Sequence, residues 1–348
     1  MSKISIVGTV GLPACYGGWE TLVENMVNSK SEHINYSVYC SSKNYKVKPK
    51  TFNGAKLIYL PLSANGISSI FYDIFSLIHT WFTRPKVVLI LGVSGCIFLP
   101  VFKLFSNAKI VVNVDGIEWK RDKWSGFAKS FLKFSEAIAI KFSDVVVADN
   151  DGIKDYIFES YGVGSEVIAY GGEHALTSKP SNDIDNFFFT VCRIEPENNV
   201  EMILEAFSES DSKYKIVGNW NSSQYGINLK TKFSAFPNIE MLEPIYDLNV
   251  LFEYRDKCVG YIHGHSVGGT NPSLVEIMHF GKQVYAFDCC FNRYTTEDKA
   301  IYFINSKQLL TLLKEEFRSD NLELKAIALK RYTWNVVNKQ YETLYGLK

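Results

Sequence analysis

Short apolar runs alternate with longer amphipathic ones along almost the whole chain. In the first half, strand-like runs fall at Ile4–Val7, Ser37–Cys40, Lys56–Leu60, Val87–Leu91, Ile110–Val114, Val145–Ala148 and Glu166–Ala169. Helical periodicity covers Glu20–Ser29, Ser68–Phe82, Gly126–Phe142 and Gly152–Ser160. This alternation predicts a parallel sheet with helices on both faces. The pattern breaks around Gly171-Gly172-Glu173-His174, and the polar Thr177–Asn186 stretch with Pro180 reads as a linker. A second alternation follows, with strands expected at Phe187–Cys192, Lys215–Val217, Ile239–Leu242, Val259–Ile262, Val284–Phe287 and Ile301–Phe303. Helices are expected at Asn199–Ser208, Leu248–Tyr254 and Pro272–Phe280. An amphipathic stretch, Thr333 to Tyr345, then carries Trp334, Val337, Tyr341 and Leu344. The expected division is therefore residues 1–174, residues 187–332, and a terminal helix, 333–348, that crosses back onto the first domain.

Composition narrows this picture. A chain of 348 residues that is 47% hydrophobic suits two domains with substantial cores. Its seven cysteines include no C-x-x-C pair and no ligand-like spacing, which supports neither a disulfide framework nor a zinc site and points to the reducing cytoplasm. The opening Met1–Gly8 reads as a first strand rather than a signal peptide. Val87 to Phe102 runs 16 residues without a charge, but Gly92, Gly95 and Pro100 interrupt it, so a buried strand followed by a core helix is expected rather than a membrane span. Net charge is zero yet unevenly spread. Residues 1–143 hold 17 Lys and Arg against 8 Asp and Glu, and the remainder holds 20 against 29. The basic half reads either as ordinary solvation or as a surface for an anionic partner. Lys43, Lys46, Lys48, Lys50, Lys120, Arg121 and Lys123 favour anionic lipid over nucleic acid, for which no reader motif is present. Phe71, Ile74, Phe75, Ile78, Trp81 and Phe82 recur at near-helical spacing, and either face the sheet or lay an apolar stripe in a membrane interface.

Two glycine-rich loops carry the candidate chemistry. In the second half, an apolar strand empties into His263-Gly264-His265-Ser266-Val267-Gly268-Gly269-Thr270-Asn271. Asn271 is the expected N-cap of the next helix and Pro272 its first residue. Such a loop offers backbone amides and a positive helix end to an anion. Glu276, a turn further on, can reach a sugar hydroxyl. Near the N-terminus a strand meets Gly11-Leu12-Pro13-Ala14-Cys15-Tyr16-Gly17-Gly18-Trp19-Glu20-Thr21, which lacks the G-x-G-x-x-G dinucleotide fingerprint. One such loop per half suggests two nucleotide-fold domains facing a cleft. Asp149-Asn150-Asp151 imitates a D-x-D metal motif, but its place between a strand and Gly152 favours helix capping; no required metal is expected.

These motifs, with Val114-Asp115-Gly116-Ile117-Glu118-Trp119-Lys120-Arg121 and Arg193-Ile194-Glu195-Pro196-Glu197-Asn198-Asn199, resemble the retaining GT-B glycosyltransferases of glycosyltransferase family 4. The likeness is strongest to the bacterial rhamnosyltransferases of capsule and O-antigen synthesis. It implies an α/β GT-B fold: two Rossmann-like domains, an interdomain cleft and a C-terminal helix returning to the first domain. It also implies transfer of L-rhamnose from dTDP-β-L-rhamnose to a lipid-linked saccharide with retention, on the inner membrane face, without a cofactor. UDP- or GDP-linked donors, a nucleotide-sugar 2-epimerase and a non-catalytic sugar-nucleotide binder remain as alternatives. The broader family's paired acids would fall on Gly269 and Glu276, and its Arg and Lys on Arg193 and Asn198; only Glu276 and Arg193 keep the chemistry.

The implied roles follow. Arg193 would clamp the leaving diphosphate, unless it serves only as a surface ion pair with Glu195 or Glu197. Gly268, Gly269, Thr270 and Asn271 would add donors, and Gly17 and Gly18 would close over the donor. Glu276 would bind the nucleoside sugar or merely complement the helix end. His263 and His265 flank the loop and would contact the donor, unless they serve only as structural histidines. Asp115 is the candidate catalytic carboxylate; it and Glu118 would bind hydroxyls of the reacting sugar or the acceptor hydroxyl. Glu118, Trp19 and Trp119 would contact the acceptor, Glu118 alternatively pairing with Lys120 or Arg121, while Trp119 and Trp124 either stack on sugars or pack in the core.

Overall fold

The structure is a computed structural model describing residues 2–15, 17–120, 126–181, 183–315 and 320–346. Tyr16, Arg121, Lys123 and Trp124 lie outside the described residues. The chain forms two compact units, residues 1–169 with 334–348, and residues 170–333.

The first unit is built on eight strands: β1 (Ser2–Val7), β2 (Ile34–Ser41), β3 (Thr51–Phe52), β4 (Ala55–Leu60), β5 (Val87–Leu91), β6 (Lys109–Asn113), β7 (Val145–Ala148) and β8 (Glu166–Val167). Their order is β3-β4-β2-β1-β5-β6-β7-β8, parallel throughout except for the short β3–β4 pair. The central strands are buried on both faces, which is why β5 is an unbroken Val-Val-Leu-Ile-Leu run. Sequence order reverses across the β1–β5 pair. There Gly8, at φ +94°, passes so close to β5 that an added Cβ would lie 2.1 Å from the Leu91 carbonyl oxygen.

The terminal helix Trp334–Tyr345 packs in this unit. Its Tyr341 hydroxyl accepts from Asn113 Nδ2 at 2.8 Å, and Glu342 accepts from the Ser31 amide at 2.9 Å. Trp334, Val337 and Tyr341 are buried as the periodicity predicts, but Tyr345 completes the stripe, and Leu344 is only half-buried.

One helix has inverted polarity. Ser68–Thr83 turns Tyr72, Asp73, Ser76, Leu77 and Thr80 inward, leaving Phe71, Phe75 and Phe82 52–80% exposed. Trp81 departs from this outer set and packs against Phe98, Phe102 and Phe105. No helix among the described residues is long and apolar enough to cross a membrane.

The second unit holds β9 (Phe188–Val191), β10 (Tyr214–Val217), β11 (Ile239–Leu242), β12 (Gly260–His263), β13 (Val284–Phe287) and β14 (Ile301–Phe303). All pair in parallel in the order β11-β10-β9-β12-β13-β14, so sequence order reverses between β9 and β12. Aromatic packing dominates its core, with Phe207 stacked on Tyr214 at 4.1 Å and Phe188 beside both Phe207 and Tyr285. Four helices, Gln224–Phe233, Cys290–Thr296, Ser306–Leu312 and Leu322–Arg331, were not expected from periodicity. Each buries only one to three residues.

Candidate functional site

In an open parallel sheet, ligands bind beyond the carboxyl ends of the strands where strand order reverses. In the second unit that point lies between β9 and β12. The segment after β9, from Cys192, carries Arg193, and the segment after β12 is the glycine-rich loop. Backbone and side-chain bonds stitch the two together. Asn198 Nδ2 donates to the Arg193 carbonyl at 2.8 Å, while its Oδ1 meets His265 Nδ1 at 2.8 Å. The Ser266 amide and hydroxyl both donate to the Glu197 carbonyl at 2.9 Å. Asn199 Nδ2 donates to the Gly264 carbonyl at 2.8 Å. Gly264 has no room for a side chain, since a Cβ would lie 2.1 Å from the Asn198 carbonyl oxygen. A third connection comes from the segment after β13, where Asn292 Nδ2 donates to the His265 carbonyl at 2.8 Å.

The loop ends as expected. Gly268 sits at φ +119°, a conformation suited to glycine, and Thr270 is buried. Asn271 caps the helix Pro272–Phe280, its side chain accepting from the Ser273 amide at 3.0 Å. The positive end of that helix thus opens beside the loop that also holds Gly269.

Glu276 lies one turn in, with its side chain 14% exposed. One carboxylate oxygen pairs with Arg255 Nη2, and the other lies 3.3 Å from His174 Nε2. Burial alone would raise its pKa, but Arg255 and His174 overcome that and hold it below the ordinary carboxylate value. His174 comes from the turn Glu173–Ala175. That turn packs tightly because Gly172 sits against the backbone of Val275 and Glu276, where a Cβ would meet atoms at 2.7 Å.

The two histidines differ. His265 is bonded to Asn198 and shapes the loop. His263 is buried, and burial pushes its pKa down to about 3, so it is neutral at physiological pH. Arg193 is 54% exposed, with Nη1 3.4 Å from a Glu195 carboxylate oxygen. The surface ion pair foreseen as an alternative therefore forms, and the guanidinium stays accessible. Neighbouring Glu197 has a raised pKa, first from burial and also from the charge of Glu195.

In the first unit, the loop after β1 is organised by Glu20. It accepts from Thr9 Oγ1 at 2.7 Å, the Val10 amide at 2.6 Å and the Gly17 amide at 2.9 Å. Gly17 is the N-cap and Gly18 the first residue of the helix Gly18–Asn28, and Trp19 is half-buried on its first turn. Asp115 follows β6 at φ +64°, half-buried, its amide donating to Asn113 Oδ1 at 3.0 Å. A non-glycine residue in this region is uncommon and merits notice at a strand's carboxyl end. Glu118, half-buried, opens the short turn Glu118–Lys120. Trp119 donates to the Tyr156 hydroxyl at 3.1 Å, and Lys133 sits 4.7 Å from its ring centre. Asn150 caps the helix Asp151–Tyr161, accepting from the Gly152 amide at 2.8 Å. The described residues contain no group of three or more His, Cys, Asp or Glu that could hold a metal ion.

The site residues that sequence reasoning missed are Arg255, His174 as a partner of Glu276, and Glu20 as the organiser of its loop. Only Glu20 left a local signal, an acid at the third helical position after a glycine N-cap.

Residues 1–173 match the family described as a domain of unknown function, DUF1972. Comparison with curated proteins gives no match. Among solved structures, the chain is similar to a sucrose-phosphate synthase from Thermosynechococcus elongatus, at TM-score 0.76 and 12% identity, covering 99% of this chain and 98% of that one. It is also similar to Anabaena HepE in complex with UDP-glucose, at TM-score 0.75 and 14% identity over 100% of both chains. The lipopolysaccharide outer core galactosyltransferase WaaB in its apo form matches at TM-score 0.67 and 15% identity, covering 99% of this chain and 98% of that one. At these identities the likeness establishes the fold, which is GT-B: two Rossmann-like α/β domains with parallel sheets.

Proposed function

We propose that the protein is a glycosyltransferase that takes a nucleotide-sugar donor. The observation that carries this reading is the paired exit of β9 and β12 at the strand-order reversal. It brings an accessible Arg193, a glycine loop, a helix N-terminus and an ionised Glu276 into one set of connected segments. A diphosphate suits the cation and helix end, and a nucleoside sugar suits the carboxylate. The UDP-glucose complex of the similar HepE supports the same assignment.

The finer reading is a retaining family 4 rhamnosyltransferase acting in O-antigen or capsule synthesis. Its donor is dTDP-β-L-rhamnose and its acceptor a lipid-linked saccharide. The bond between the sugar's anomeric carbon and the β-phosphate oxygen breaks as the acceptor oxygen attacks the same face. The leaving phosphate takes the acceptor's proton. Arg193 and the donors of Gly268, Gly269, Thr270 and Asn271 stabilise charge on the departing diphosphate. Asp115 orients the reacting sugar, Gly17 and Gly18 cover the donor, and Trp19, Glu118 and Trp119 serve the acceptor.

A lipid-linked acceptor also calls for peripheral attachment at the inner membrane face. The outward Phe71, Phe75 and Phe82 support this, with exposed Leu104 and Phe105 on a neighbouring helix and the exposed Lys43, Lys46, Lys48 and Lys50.

Mass spectrometry of products from a panel of nucleotide sugars and lipid-linked acceptors, with and without EDTA, tests the proposal. The expected product is a rhamnosylated acceptor, formed with EDTA present. An epimerised sugar nucleotide without acceptor, or binding without turnover across the panel, would replace the reading. Sedimentation with anionic and neutral liposomes tests the membrane component, and equal binding to both would count against it.

A further inference from the structure

Resting on the nucleotide-sugar reading above, we propose that Arg255 is a positioning residue, which fixes the Glu276 carboxylate for a hydroxyl of the donor's nucleoside sugar. Arg255 lies on the buried side of the helix Leu248–Lys257 and is only 2% exposed. A buried guanidinium is costly unless paired. The acid beside it in sequence, Asp256, is turned to Ser181, accepting from its amide at 3.0 Å and its hydroxyl at 2.8 Å. Glu276 is therefore the carboxylate to which Arg255 donates, through Nη2, while Nε and Nη1 make no hydrogen bond among the described residues.

The arrangement leaves Glu276 usable. Arg255 takes one carboxylate oxygen and His174 approaches the other. A carboxylate has about four acceptor positions, so each oxygen keeps one for a ligand hydroxyl. The charged and titratable groups around it are Arg255, His174, His279 on its own helix, and Lys325 on the helix Leu322–Arg331 near His279. Without Arg255, burial favours a protonated Glu276, which loses an acceptor position and becomes a donor instead.

The test is calorimetric measurement of dTDP, UDP and GDP binding between about pH 8 and about pH 5.5. It uses wild type, Arg255→Met, Arg255→Lys, Glu276→Gln and the Arg255→Met/Glu276→Gln double variant, with folding checked by circular dichroism. Arg255→Met is expected to weaken nucleotide binding by about tenfold or more, through loss of a charged hydrogen bond. That loss should deepen as pH falls, Arg255→Lys should fall between, and Arg255→Met should add little once Glu276 is Gln. A folded Arg255→Met with wild-type affinity and pH profile would overturn the inference while leaving the donor reading standing. Should Arg255→Met not fold, Arg255→Lys decides, and wild-type behaviour in it overturns the inference. Failure of wild type to bind any of the three nucleotides would reject the donor reading, and the role of Arg255 with it.

Discussion

Arg193 and Asp73 show opposite ways of placing an ionisable group. Arg193 is more than half exposed and, among the described residues, forms its ion pair with Glu195, so removing it costs little structure. Arg193→Ala is expected to leave the fold intact and lower turnover by on the order of a hundredfold, as loss of one strong leaving-group contact does. Steady-state kinetics beside a thermal melt checks this, and an unchanged rate rejects the role. Asp73 lies fully inside its helix–sheet layer, where burial pushes its pKa up to about 8 against the opposing effect of a Gly95 backbone hydrogen bond. The folded state therefore keeps a proton that the unfolded chain releases near pH 4, and stability falls as pH rises from about 4 to about 8. Asp73→Asn keeps the acceptor for Gly95 and removes that dependence. It should stabilise the protein by about 2–4 kcal/mol at pH 8 and by little at pH 4, as read by urea unfolding at both pH values.

At the scale of elements, the loop after β12 depends on closeness rather than on any one side chain. Gly264→Ala would drive a methyl group into the Asn198 carbonyl and Ile203. It should cost about 1–3 kcal/mol and weaken nucleotide binding, because the segments after β9 and β12 could no longer close together. Nucleotide titration of this variant checks the point, and unchanged affinity would show that the stitch does not shape the site. Much of this geometry was legible beforehand. Asn271 before Pro272 announced the helix start, and the uncharged runs announced buried strands. What escaped notice was non-local. Arg255 lies on a helix whose sequence, Leu-Asn-Val-Leu-Phe-Glu-Tyr-Arg-Asp-Lys, reads as a half-exposed surface. Only the packing of that helix beside Pro272–Phe280 delivers its cation to Glu276. The helices Gln224–Phe233, Ser306–Leu312 and Leu322–Arg331 were missed because a helix burying so few residues has almost no apolar period. Their Ser223, Asn305 and Asn321 caps were the better signal. The helix Ser68–Thr83 has a clear period, but period alone could not say that its aromatic side faces outward.

At the scale of the molecule, the first unit is made from two separated stretches of chain, while the second is continuous. Removing residues 334–346 should therefore damage one unit and spare the other. Trp334, Val337, Tyr341 and Tyr345 are all buried, and such side chains contribute roughly 1.5–3 kcal/mol each. Calorimetry of the truncated chain should show one transition moved far down in temperature and a second near its original place; a joint shift of both would refute this independence. The same division sets an order of events during synthesis. Residues 170–333 leave the ribosome as a whole and can fold at once. The earlier-made sheet still lacks its closing helix: Asn113 is without Tyr341, and Tyr36 without its aromatic neighbour Tyr345, until residues 334–345 emerge behind the second unit. The unit begun earlier along the chain is thus the one completed later, and residues 1–169 stay longest without part of their native packing.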